Sequence, residues 1–274
     1  MKLLGIFRET LHSPLREFDD YEILRLTAQY LVQKKIDVHV AKPEEFLALA
    51  EQWTGPLPDG IFMMCEQEKI LNLLHVWEQK GVKMINSIHG IWNTYRYNMV
   101  PLIQKAEVSH PESHLVFTQD PVPLISKKVW IKRGDVHNTQ KGDVSLVEST
   151  LQVQDLFNSF LSRGISQAVI QDHIQGDLIK FYGVGSRLLP WFRWFYHKDQ
   201  ELKNYKFSTD QLRDLVFHAA ETLNLQVFGG DVVVDPQGNL FLIDMNAWPS
   251  FALFRSEAAP AIAEFIALQV QTAV

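Results

Sequence analysis

A single cysteine, Cys65, stands in a chain of 274 residues, so no intrachain disulfide and no cysteine-based zinc cluster can form. At the end of the apolar run IFMMC it reads as a small buried thiol rather than a nucleophile. No apolar stretch approaches the roughly 18 to 20 residues of a membrane span. The opening MKLLGIFRET lacks a signal peptide's long apolar core. A cytoplasmic location without a membrane partner is therefore the expectation. Lysines and arginines number 26 against 32 acids, and the net charge of -6 argues against nucleic acid as a partner. Internal repeats, low-complexity segments and blocks of like charge are missing too. So is GxGxxG spacing, which leaves a Rossmann-type dinucleotide site without support.

What remains is a globular composition, 46% hydrophobic and 21% charged, long enough for two or three small lobes. Residues 1–88 alternate strand and helix patterns. KLLGIF is followed by a helical stripe over residues 19–34, then DVHVA, then a helix over residues 43–52. GIFMMC, a helix over residues 66–80 and VKMIN continue the rhythm. Such alternation writes parallel strands with crossover helices, a small open α/β lobe.

The most informative stretch is VFGGDVVVDPQGNLFLIDMNAWPSF, residues 227–251. Two runs of period-two alternation flank the turn residues DPQGN, which predicts a β-hairpin. Asp244 and Asn246 lie two apart on the second strand and share a face, and Asp231 on the first strand falls roughly opposite them. Three oxygen-bearing side chains around one point suit a divalent cation such as Mg²⁺, which prefers hard oxygen ligands. Strand-end acids facing water are the alternative reading.

GGDVVVDPQGNLFLIDMNAWPSF also resembles the C-terminal hairpin of the ATP-grasp superfamily. That resemblance implies mixed α/β and α+β architecture: two lobes clamping ATP, preceded by a small open α/β lobe. The boundaries would be 1–88 for the first lobe and 89–274 for the ATP-grasp unit, with a lid at about 126–172 and a metal-binding lobe at about 173–274. The implied cofactors are ATP and Mg²⁺, or Mn²⁺ in its place, with Asp231, Asp244 and Asn246 as metal ligands.

Upstream landmarks follow in the same order. Arg96 matches a lysine that reaches ATP phosphates, keeping the charge but presenting a planar fork. Lys132, on the strand KVWIK, matches a second phosphate ligand, and residues 133–143 would close over the triphosphate, with Gly134 and Gly142 flexing and His137 and Asn138 donating. In QDHIQGDLIKFYGVG, Gln171 and Asp172 bracket the expected hinge, His173 and Ile174 offer backbone contacts to adenine, and Asp177 is the ribose candidate. DLIKFYGVG also resembles the inositol polyphosphate kinases of the superfamily, which would turn Lys180 toward phosphate. Arg8, Glu9 and Arg16 are the candidate contributors to an acceptor pocket.

Several ligases of the superfamily carry an arginine shortly before the first metal-binding acid, whereas Phe228-Gly229-Gly230 precede Asp231 here. Arg187, Arg193 and Arg255 are the candidates to act in its place beside Lys132. The resemblance implies a ligase joining a small carboxylate to an amine through an acyl phosphate. A kinase acting on a hydroxyl of a small polyol or inositol phosphate is the alternative, and a non-catalytic nucleotide-binding protein a third. The partners are then a small acid, amine or polyol, with a homodimer left open. The aromatic and basic segment RLLPWFRWFYHKDQELKNYKF reads as core packing first and an acceptor wall second.

Overall fold

The computed structural model describes residues 1–13, 16–136, 140–188 and 190–271. Its first lobe follows the alternation of the sequence: β1 (Lys2–Ile6), α1 (Glu17–Gln33), β2 (Asp37–Ala41), α2 (Pro43–Glu51), β3 (Gly60–Met63), α3 (Glu68–Gln79) and β4 (Lys83–Ile85). The four strands form a parallel sheet in the order β2-β1-β3-β4. β1 and β3 are buried almost throughout, as parallel strands covered on both faces must be. Two short helices lead out of the lobe, α4 (Ile88–Asn93) and α5 (Arg96–Lys105).

The second lobe contains β5 (Ser113–Phe117), β6 (Val129–Arg133), β7 (Val144–Val147), α6 (Thr150–Ser162) and β8 (Gln167–Asp172). Its strands pair antiparallel in the order β5-β8-β6-β7. One face, with Ile131, Val147, Ala168 and Ile170, closes on Val153, Phe157 and Phe160 of α6 to make a separate small core. β5 joins this sheet although it precedes the lid boundary expected near residue 126. As an edge strand it is recruited by β8 some fifty residues later, a long-range pairing that local pattern does not announce.

The third lobe comprises β9 (Asp177–Val184), β10 (Trp191–Tyr196), α7 (Thr209–Leu223), β11 (Val227–Val234) and β12 (Leu240–Ala247), with strand order β10-β9-β11-β12, all antiparallel. Phe181, Phe228, Val232 and Met245 on one face pack on Leu212, Val216 and Phe217 of α7. The last helix, α8 (Arg255–Gln271), returns to pack along α1 of the first lobe. Core residues of the first and third lobes are continuous: Leu3, Ile23 and Phe62 share a cluster with Tyr182, Trp248 and Ile262. Asn86 adds a polar staple, donating to Val227 O at 2.7 Å while its own oxygen accepts from the amides of Gln226 and Val227. First and third lobes thus form one body, and the second sits across a cleft with its own core. Among the described residues, no helix is long and apolar enough to cross a membrane.

Candidate functional site

The site is built on a fault in the alternation of β12. Leu240 and Leu242 are two apart, but the next buried residue is Met245, three further on. A regular strand would bury Asp244 beside Leu242. Instead the register shifts: Asp231 pairs with Asp244 and Val232 with Leu242, leaving Ile243 as an extra residue. This β-bulge turns Asp244 out of the core and onto the cleft face, where Asn246 follows two residues later.

Each carboxylate then meets a cation from another element. Lys180 lies across from Asp231 on β9, and its Nζ donates to Asp231 Oδ1 at 2.7 Å. Arg96, in the first turn of α5 and 2% exposed, donates from Nη2 to Asp244 Oδ2 at 2.5 Å. Its Nη1 donates to the carbonyls of Arg133 and Val136 at 3.2 Å, and its Nε has no partner among the described residues. From the second lobe, Lys132 on β6 donates across the cleft to the carbonyl of the bulged Ile243 at 2.8 Å. Burial lowers the Lys132 ammonium to about 8, with Arg96 adding to the effect against the pull of Asp244 and Asp231. Burial raises the Asp244 carboxyl, yet Arg96 and Lys132 outweigh it and hold the group below the usual carboxylate range.

These groups line a cleft of about 660 Å³ between the second lobe and the rest. Trp130 and Lys132 face it from β6, His12 and Arg16 from the first lobe, and His173 and Ile174 from the connection between β8 and β9. His173 Nδ1 accepts from Trp130 Nε1 at 3.1 Å, and burial followed by the charge of Lys128 keeps its pKa low, consistent with a neutral ring.

The three-lobed fold has solved counterparts. The D-alanine-D-alanine ligase from Coxiella burnetii superposes with a TM-score of 0.74 at 12% identity, covering 99% of this chain and 97% of that one. The D-alanine-D-alanine ligase from Bacillus anthracis, complexed with ATP, gives 0.75 at 10% identity with 99% and 98% covered. The D-alanyl-alanine synthetase A from Vibrio cholerae O1 biovar eltor gives 0.71 at 9% identity with 99% and 98% covered. The chain has the ATP-grasp fold. No protein-family model matches the sequence, and no curated protein matches it.

Within the ATP-grasp cleft the structure brings together Arg96, Lys132, His173, Ile174, Lys180, Asp231, Asp244 and Asn246, with Arg16 of the first lobe. Other residues singled out from the sequence stand elsewhere. Gln171 is buried where α5 packs against β5 and β8. Its amide nitrogen donates to Ser113 Oγ at 3.1 Å, and its oxygen has no partner among the described residues. Asp172 pairs with Lys127 on the outside of the lid. Asp177 is 1% exposed and accepts from the amides of Lys203 and Tyr205 at 2.8 and 3.0 Å, so its carboxylate is turned from the cleft, and Leu178 lines the cleft instead.

The three arginines expected near the reacting groups are also outside. Arg193 pairs with Glu257, Arg255 with Asp19, and Arg187 with Glu221, each stitching surface elements together. No side chain fits in the position they were to replace, because a Cβ on Gly229 would stand 2.7 Å from Pro249 Cγ and 2.8 Å from Phe181 O. Arg8 is buried between Glu66 and Asp20 and donates to Trp248 O at 2.7 Å, while Glu9 accepts from the amides of Glu66 and Gln67. Arg8 thus serves the joint between the first and third lobes and Glu9 the interior of the first lobe, and neither lines the cleft.

In the flap, Gly134 answers a close approach rather than a hinge: its amide donates to Gln167 O at 2.8 Å and a Cβ would stand 2.7 Å from that oxygen. Gly142 does adopt a positive φ, 96°. His137 and Asn138 lie outside the described residues. Among the cleft residues that sequence reasoning passed over are His12, Trp130, Leu178, Gln200 and Ile243. Trp130 was findable, since it alternates with Lys132, and Ile243 was announced by the three-residue step from Leu242 to Met245. His12 carries no such signal.

Hard-oxygen chemistry fits a divalent cation: two cross-strand carboxylates and the amide of Asn246, two residues from Asp244 on the same strand face. Among the described residues no group of three or more His, Cys, Asp or Glu is placed to hold a metal ion.

Proposed function

We propose that this protein is an ATP- and Mg²⁺-dependent ligase that joins a small carboxylate to an amine through an acyl phosphate. The observation that carries the reading is the convergence of Arg96, Lys132 and Lys180, from three separate elements, on the paired carboxylates Asp231 and Asp244. The likeness in fold to D-alanine-D-alanine ligases, one of them complexed with ATP, supports it.

Asp231, Asp244 and Asn246 would hold the divalent cation. When bound, that ion offsets charge on the nucleotide phosphates. Arg96 and Lys132 steady the terminal phosphate, and the burial that lowers the Lys132 pKa also strengthens each of its contacts. His173 and Ile174 form the wall for the base, Gln140 and Lys141 face the phosphates from the flap, and Arg16 draws the acid. The carboxylate oxygen attacks the γ-phosphorus and ADP leaves. The amine then attacks the carbonyl carbon, the carbon-nitrogen bond forms, phosphate departs with the electron pair, and the surplus protons go to phosphate and solvent.

Lys180 beside Asp231 favours a second reading, a kinase acting on a hydroxyl of a small polyol or inositol phosphate, for which a further cation at the acceptor phosphate is apt. Hydroxylamine separates the two. Incubated with ATP, Mg²⁺ and a panel of small acids including D-alanine, a ligase traps its acyl phosphate as a hydroxamate. ADP release with polyols and no hydroxamate with any acid would move the reading to the kinase.

A further inference from the structure

Two carboxylates paired directly across strands repel unless each has a counter-charge. Asp244 has Arg96 and Asp231 has Lys180, but the two cations are held differently. The Arg96 side chain is 3% exposed, and its guanidinium also donates to Arg133 O and Val136 O. It cannot leave Asp244 without disturbing a buried set of bonds. Lys132 is tied as well, buried and bonded to Ile243 O. The Lys180 side chain is 26% exposed, and Asp231 is its one hydrogen-bond acceptor among the described residues. A part-exposed single ion pair contributes little stability, and the four-carbon stem of lysine lets the ammonium turn within the cleft.

We infer that Lys180 is a place-holder for the divalent cation. It neutralises Asp231 while metal and nucleotide are absent, and it moves to nucleotide phosphate oxygens when both arrive. The inference rests on the nucleotide and metal reading above and adds an order to the binding. Metal alone meets a carboxylate that already has its counter-charge, and would strand the displaced ammonium beside a dication, Arg96 and Lys132. With nucleotide present the ammonium gains phosphate oxygens and the repulsion is relieved. Metal and nucleotide therefore bind with positive coupling, and Lys180 carries that coupling.

The test titrates Mn²⁺ into the full chain by electron paramagnetic resonance, with and without a non-hydrolysable ATP analogue. The proteins are wild type, Lys180→Met, Lys180→Gln and Lys180→Arg, each checked for folding by its melting curve. Removal of the ammonium should tighten binding of Mn²⁺ alone by about five- to tenfold and shrink the further tightening that nucleotide brings, whereas Lys180→Arg should behave as wild type. Asp231→Asn should lose the Mn²⁺ site. The inference is overturned if Mn²⁺ alone binds Lys180→Met and Lys180→Gln no tighter than wild type, if none of the proteins binds it, or if Asp231→Asn binds it unchanged. Wild type that binds Mn²⁺ but no nucleotide defeats the proposed function instead, and the Mn²⁺-alone comparison still decides the role of Lys180.

Discussion

Replacing Lys132 by methionine should stabilise the ligand-free protein while removing its hold on nucleotide. Lys132 is 3% exposed, and burial lowers its ammonium from an ordinary 10.5 to about 8 despite the attraction of Asp244 and Asp231. A base whose folded pKa lies below its unfolded value binds its proton less readily when folded. The penalty is fully present below about pH 8, and it is relieved as pH rises from about 8 to 10.5, where the unfolded chain still holds the proton. That gap corresponds to roughly 3 kcal/mol at neutral pH. Methionine fills similar space but forfeits the bond to Ile243 O, about 1 kcal/mol. The expected net gain is about 2 kcal/mol, a rise in melting temperature of roughly 4 to 8 °C. Circular-dichroism melts at pH 7 and pH 10 read it, with calorimetry for ATP. A variant less stable than wild type at pH 7, or an advantage that persists undiminished at pH 10, would refute the reasoning.

Asp244→Ala should abolish metal-dependent ATP binding and cost about 3 to 5 kcal/mol, because it strands buried Arg96, whereas Asn246→Ala should lose metal while shifting stability by less than about 0.5 kcal/mol. Parallel melts and Mn²⁺ titrations separate the two effects. Asp177→Asn should cost about 1 to 3 kcal/mol through the amides of Lys203 and Tyr205 and leave ATP affinity unchanged, as measured by melting and calorimetry. Gly230→Ala should force β12 away from β11, since the new Cβ would stand 2.2 Å from Asp244 O; loss of Mn²⁺ binding together with a lower melting temperature is the expected readout. Arg193→Ala and Arg255→Ala should leave turnover unaltered in any assay that detects wild-type activity.

The hairpin was legible because its whole logic is local: alternation, turn residues, and an acid and an amide two apart lie within twenty-five consecutive residues. The parallel first lobe was legible for the same reason, since each strand and helix declares its own period. Lys132 was findable as a strand residue, and Arg96 through the helical stretch after β4, which the structure divides into α4 and α5. The rest depended on direction. Asp177 and Lys180 are three apart on β9 and cannot share a face, so the sequence excluded one of them from the cleft. Which one was decided by pairing with β11, which sets Lys180 against Asp231 and Leu178 against Val233. Arg193 and Arg255 showed their charge but not their partners, Glu257 and Asp19.

By itself the sequence determined the periodicities, the turn, and the three oxygen donors of the hairpin, because these follow from the backbone preferences and spacing of neighbouring residues. Only the tertiary structure decided that Lys180 and Arg96 neutralise those donors, that His12 and Arg16 close the cleft, and that Gly229 has no room for an arginine. Each of those outcomes depends on chain segments many residues apart packing against one another, and burial and charge pairing acquire their values only there.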